Sequence, residues 1–217
     1  MDMIEIIIFA MIAAFVALRL FSVLGRRPEE DTAPRPLPVD PDMGSPSDVA
    51  RVEEDAVDPL ADLEDAAVRA GLEAIGEADR SFDYRSFKEG SVAAYEMILE
   101  GFWRGERATY EPYVSKDIAS DFNAALAQRE KDGLIVENRL IDLDKVEPVE
   151  AQLDGKTAEI TMAFIANIMA VTKNSDGEVV DGSLSETYQT RDRWTFARKT
   201  NARDPNWTVI ATESEED

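Results

Sequence analysis

Residues 4 to 25 read IEIIIFAMIAAFVALRLFSVLG, an apolar run with almost no polar interruption. About twenty residues of helix rise about 30 Å, the thickness of a hydrocarbon core. The pattern predicts a membrane anchor over residues 1–27. Ile4, Ile6, Ile7, Ile8, Phe9, Met11, Phe15, Leu18, Arg19, Leu20 and Phe21 are its expected anchor residues. Arg19 lies near the end of the run, where its long side chain can reach the headgroups. A cleavable signal peptide is the competing reading. It fits poorly, because the N-terminus carries Asp2 and Glu5 in place of a basic stretch and Arg26-Arg27 follows the apolar run. With Arg19, Arg26 and Arg27 on the C-terminal side, the positive-inside rule places the body of the chain in the cytoplasm.

The periodicity then vanishes. Residues 28–58 hold Pro28, Pro34, Pro36, Pro38, Pro41 and Pro46 with acidic runs such as Glu53-Glu54-Asp55. Such a segment buries too little apolar surface to offset its ordering entropy and reads as an extended linker.

Helical periodicity begins near Pro59, and a folded domain is expected over 59–213, followed by an acidic tail over 214–217. Leu60, Val68, Leu72 and Ile75 make one stripe. Val92, Tyr95, Ile98, Leu99, Phe102 and Trp103 make a second, on a helix over about 89–104 that Gly105 ends. Ile118, Phe122 and Leu126 mark a third helix, capped by Ser115 or Asp117 and stopped by Gly133. Beyond Gly133 the period becomes two. Leu134–Val149 reads as a strand broken by Pro148, and Thr157–Thr172 is a strand in which Ala158, Ile160, Met162, Phe164, Ala166, Ile168 and Ala170 share one face. The turn at Asn174–Gly177 leads to a long strand over Leu184–Lys199, with Tyr188, Trp194 and Phe196 facing inward; Trp207–Thr212 closes the set. Helices on one face of a curved antiparallel sheet make an α+β fold.

Composition removes whole classes of chemistry. With no cysteine and no histidine, disulfides, zinc sites built on those residues, histidine bases and thiol nucleophiles are excluded. No metal or cofactor is expected. The net charge of −22 repels nucleic acid and anionic headgroups, so no nucleic-acid partner is expected and membrane attachment falls to the apolar run.

Ala78–Asp83, Phe87–Ile98 and Gly105–Arg107, followed by Asp176–Gly182, Asp192–Arg198 and Arg203–Trp207, resemble the Tim44-like domain family over residues 76–213. The pieces D-x-W-x-F-x-R and D-P-N-W carry most of the likeness. The resemblance implies an NTF2-like cone of helices on a curved sheet enclosing an apolar pocket. It also implies a scaffold at the inner membrane. In the mitochondrial proteins the domain is associated with acidic lipid, and the scaffold holds an Hsp70-type chaperone at a translocation channel. The chaperone- and channel-binding half of those proteins has no counterpart here.

The expected pocket residues are Val92, Tyr95, Leu99, Phe102 and Trp103 on the second helix, Phe122 on the third, and Ile160, Met162, Phe164 and Ile168 on the central strand. Tyr188, Asp192, Trp194, Phe196 and Trp207 complete the set, with Glu186 and Arg198 on the inward side beside Asp192. Where Tyr95, Phe102 and Trp103 escape the core, they offer a partner-binding face. The leading expectation is a non-enzymatic, single-span bacterial inner-membrane protein. Its cytoplasmic domain would recruit a translocation or chaperone component, or bind a lipid, acyl or peptide ligand. Two alternatives stand beside it: a small enzyme using Asp192 with Tyr188, and a secretion-system assembly subunit with the domain across the membrane.

Overall fold

The computed structural model describes residues 60, 61 and 63–215; the expected anchor, linker and the end of the acidic tail lie outside the described residues. Among the described residues no helix is long and apolar enough to cross a membrane.

The helical layer comprises α1 (Ala66–Ala78), α2 (Tyr84–Arg104), a single turn α3 (Arg107–Tyr110) running into a 3-10 turn at Glu111–Tyr113, and α4 (Lys116–Lys131). Each long helix starts where an oxygen side chain satisfies otherwise unpaired amides. The Asp65 carboxylate accepts from Ala67 and Val68, Asp83 from Ser86, and Ser115 Oγ from Ile118. The Asp83 cap explains why α2 begins at Tyr84, earlier than the apolar periodicity predicts. At its other end Gly105 adopts φ 73°, and the Glu106 N–H closes onto the Gly101 carbonyl at 2.8 Å.

Two antiparallel sheets follow. The larger runs in the order β2-β3-β6-β7, with β2 Arg139–Asp154, β3 Thr157–Met169, β6 Tyr188–Lys199 and β7 Thr208–Glu215. The smaller runs β1-β4-β5, with β1 Ile135–Val136, β4 Val171–Lys173 and β5 Val179–Gly182. Three expectations are corrected here. Pro148 does not break its strand: it lies opposite Met162 on the edge strand β2, beside one of three bulges that bend the sheet, where a missing N–H costs no ladder bond. The long strand expected over Leu184–Lys199 begins only at Tyr188, and a separate short strand, β5, precedes it in the smaller sheet, where Gly182, at φ 78°, comes so close that an added Cβ would lie 2.0 Å from the Ala170 carbonyl oxygen. Tyr188, expected inside, is 44% exposed at the start of β6.

The core lies between the helices and one face of the large sheet. Alternation on β3 buries Ala158, Ile160, Met162, Phe164 and Ala166, which meet Trp194 and Phe196 of β6 and Val209 of β7. From the helices come Leu72, Ile75, Phe87, Tyr95, Ile98, Ile118 and Leu126. On the opposite face Thr161 and Thr195 pair through their hydroxyls at 3.0 Å. α1 lies directly on β2: a Cβ at Gly71 would stand 2.0 Å from the Ala151 carbonyl oxygen, so only glycine admits this approach.

Candidate functional site

The site begins with two tight connections. Asp79 ends α1, and its carboxylate accepts the Ser81 amide at 2.9 Å and the Ser81 hydroxyl at 2.6 Å. Four residues on, Asp83 caps α2, so Phe82 is held between two aspartate-built turns. At the far side of the chain the Asp204 carboxylate accepts the Asn206 amide at 3.0 Å, an Asx turn that delivers Trp207. Arg198 ties the two connections together. Its guanidinium donates to Asp79 at 2.5 Å and to the Pro205 carbonyl at 3.1 Å, and stands 5.0 Å from the Trp207 ring centre. The pair is nine-tenths buried. The Asp79 carboxyl is held below the usual carboxylate range by the Ser81 hydroxyl first, then by the Ser81 amide and Arg198.

These connections wall a half-open cavity of about 400 Å³ against α2. Its lining is mainly apolar: Phe82, Phe87, Ala94, Met97, Tyr113, Phe196 and Trp207, with Gly90 and Ala93 along the helix. The rings interlock. Phe87 lies 4.7 Å from Trp207 and 5.8 Å, edge-on, from Phe196, while Phe82 meets both Phe87 and Trp207 at about 6 Å. Polar groups stand at the margin: Ser81, Ser86, Asp83 and Asn206.

Of the expected pocket residues, Phe196 and Trp207 line this cavity. Tyr95, Ile160, Met162, Phe164 and Trp194 lie in the solid core instead, with Tyr95 stacked on Phe164 at 4.2 Å and 4.8 Å from Trp194. Val92, Leu99, Phe102 and Phe122 are half-buried against that core. Trp103 is buried and Ile168 half-buried. The expected free aromatic face on α2 is therefore covered: Phe102 packs on Tyr110 and Phe122, which the turns after Gly105 bring over it. Glu186 is exposed and lies outside β6 rather than on its inward face.

Asp192 faces inward, and its tyrosine partner is Tyr95, not Tyr188. The buried Tyr95 hydroxyl donates to it at 2.5 Å, Thr190 donates at 3.3 Å, and the Ser214 hydroxyl also donates. Burial, reinforced by the Asp192 charge, pushes the Tyr95 phenol far above its ordinary range. This pair lies outside the cavity lining, and it joins α2 to β6 and β7. Among the described residues no cluster of acids could hold a metal ion.

The cavity residues that the aromatic periodicity missed, Phe87, Gly90, Ala94 and Met97, lie one helical stripe away from Tyr95 and Leu99. Their signal is a row of small residues on a helix that is otherwise bulky, Gly90, Ala93 and Ala94, which leaves space at its surface.

A family profile of the Tim44-like domain matches residues 68–214. No protein with a curated description matches the chain. Among solved structures, the intermembrane-space region of the chloroplast protein ARC6 is similar at 11% identity, covering 61% of this chain and 96% of that one, with a TM-score of 0.36. A candidate dehydratase of the NTF2-like family from Streptomyces avermitilis is similar at 13% identity, with the same coverages and a TM-score of 0.37. An NTF2-like protein with a cystatin-like fold from Novosphingobium aromaticivorans is similar at 15% identity, covering 70% of this chain and 90% of that one, with a TM-score of 0.30. Likenesses this distant say nothing of function. The profile spans more than half of the sequence, over the elements that build the cavity, and the chain belongs to the Tim44-like domain family.

Proposed function

We propose that this chain is a non-enzymatic, membrane-tethered binding protein whose domain holds an apolar group of a partner or ligand in the cavity beside α2. The observation that carries the reading is the wall itself, five aromatic rings and Met97 around about 400 Å³. A pocket of that size and polarity is built to desolvate an apolar group. The charged groups at it do not favour acid–base work: Arg198 is committed to Asp79, and Asp83 is committed to the start of α2. The tether rests on the apolar run of residues 4–25, which by its flanking arginines crosses the bacterial inner membrane once and leaves the domain in the cytoplasm. Membership of the Tim44-like family supports a scaffold role and directs the search for a partner toward components of protein translocation or membrane-protein assembly.

The experiment is crosslinking in intact cells from a photoreactive residue at Met97, followed by identification of the adduct. The expected result is one protein or lipid species, lost when Gly90→Phe fills the cavity. Adducts identical to those from an exposed control position such as Lys156 would contradict the binding role. Release of the protein from membranes by alkaline carbonate would contradict the tether.

A further inference from the structure

A second hollow, of about 290 Å³, continues the cavity along α2, and the two share Ala93 and Met97. The join exists because small residues recur along that side of the helix. Gly90 has open space where a side chain would be, Ala93 is exposed, and Gly101 lies flush against Thr109. From Gly90 to Gly101 the helix advances about 16 Å, roughly three turns. The result is a groove, deep and aromatic at the Trp207 end and shallow at the Thr109 end.

Its charge is one-sided. Both arginines that line it are already neutralised, Arg104 by Glu100 at 3.0 Å and Arg198 by Asp79 at 2.5 Å. Glu96 and Glu106 line the shallow half and have no ion pair among the described residues, while Asp83 sits at the mouth of the deep half. An anionic occupant would find no cation free to receive it. A cationic one gains two carboxylates that hold no ion pair among the described residues, Glu96 and Glu106, and is drawn by the field of a chain with net charge −22.

We propose that the groove along α2 docks one amphipathic helix of a partner protein. Its apolar residues enter the cavity and cross Ala93, and its lysines or arginines face Glu96 and Glu106. The length of the groove matches three turns, which present apolar anchors at i, i+3 or i+4, and i+7. Small residues at Gly90 and Ala93 let the two helix backbones approach closely. The proposal rests on the binding-module reading and narrows it: the occupant is a basic polypeptide segment, and anionic acyl chains are rejected.

The test uses the full chain in nanodiscs of zwitterionic lipid. Three fluorescent probes are titrated: a helical peptide of leucine and lysine, the same peptide with glutamate for lysine, and a fatty acid. A neutral apolar dye reports separately on the cavity. The leucine–lysine peptide is expected to bind saturably and roughly tenfold more tightly than its glutamate counterpart. Ala93→Trp, at an exposed helical position, should weaken it by a similar factor, and Glu96→Lys should do so through charge alone. Equal binding of the two peptides, preference for the fatty acid, or binding untouched by both substitutions would overturn the proposal. Dye binding without peptide binding would refute the helix-docking site and leave the cavity reading standing, whereas loss of both would refute the two together.

Discussion

Arg198 of β6 and Asp79 at the end of α1 form an ion pair of 2.5 Å with both side chains about nine-tenths buried. It bridges the first helix of the described domain to the sheet and sets one wall of the cavity. Removing one member strands the other charge in a site with little water, which costs about 3 kcal/mol or more. Arg198→Met and Asp79→Ala should each lower the unfolding free energy obtained from urea denaturation by that amount, and the double change should cost less than the sum. The pH dependence follows from the lowered Asp79 carboxyl. Its contribution is complete above the unfolded carboxylate pKa, ordinarily 3.8, and fades as the pH falls through the lower folded value. Urea midpoints measured from about pH 5 down to about pH 3 should fall less steeply in Asp79→Asn than in the unsubstituted protein.

Gly71 opposes two effects whose magnitudes decide the outcome. Alanine is about 1 kcal/mol the better helix former. Its Cβ would stand 2.0 Å from the Ala151 carbonyl, however, so α1 must lift from β2 and lose part of the burial of Val68, Leu72 and Ile75. Overpacking of this kind costs about 1–3 kcal/mol and lost burial adds to it. Gly71→Ala should lower the thermal midpoint despite its helix propensity, as circular dichroism melting would record.

Tyr95 links the helices to the sheet through one hydroxyl. Tyr95→Phe keeps the stack on Phe164 and leaves Asp192 with Thr190 and Ser214 as donors. The expected loss is about 1–2 kcal/mol in chemical denaturation. Because burial raises the phenol pKa, this stabilisation is complete below the unfolded value of 10.0 and declines as the pH rises above it. The stability of Tyr95→Phe should therefore fall less between about pH 9 and pH 11 than that of the unsubstituted protein.

Much of this was legible in the chain. The three long helices, the cap at Ser115 and the alternation on β3 follow from periodicity and turn chemistry, because local rules decide them, whereas the small sheet β1-β4-β5 does not follow from the pattern. The D-x-W-x-F-x-R and D-P-N-W pieces supply Phe196, Arg198, Pro205, Asn206 and Trp207 to one wall of the cavity. Asp192 and Trp194, on the same strand face, instead join the polar clasp and the core, since the cavity ends where Tyr95 fills the space under the sheet. Periodicity marks which face of α2 is apolar; it does not say where two apolar surfaces fail to meet. The hollow arises from small side chains at Gly90, Ala93 and Ala94 and from loops brought together by the Arg198 ion pair, a contact across 119 residues of chain.

The most direct test of the binding role is titration of a neutral, environment-sensitive apolar dye into the full chain in zwitterionic nanodiscs, with empty nanodiscs subtracted and Gly90→Phe in parallel. Gly90 is exposed with open space at its Cβ, so the phenylalanine can fill the cavity without disturbing the core. Saturable binding to the unsubstituted protein is predicted, weakened roughly tenfold in Gly90→Phe at an unchanged melting temperature. Indistinguishable titrations for the two proteins would contradict it.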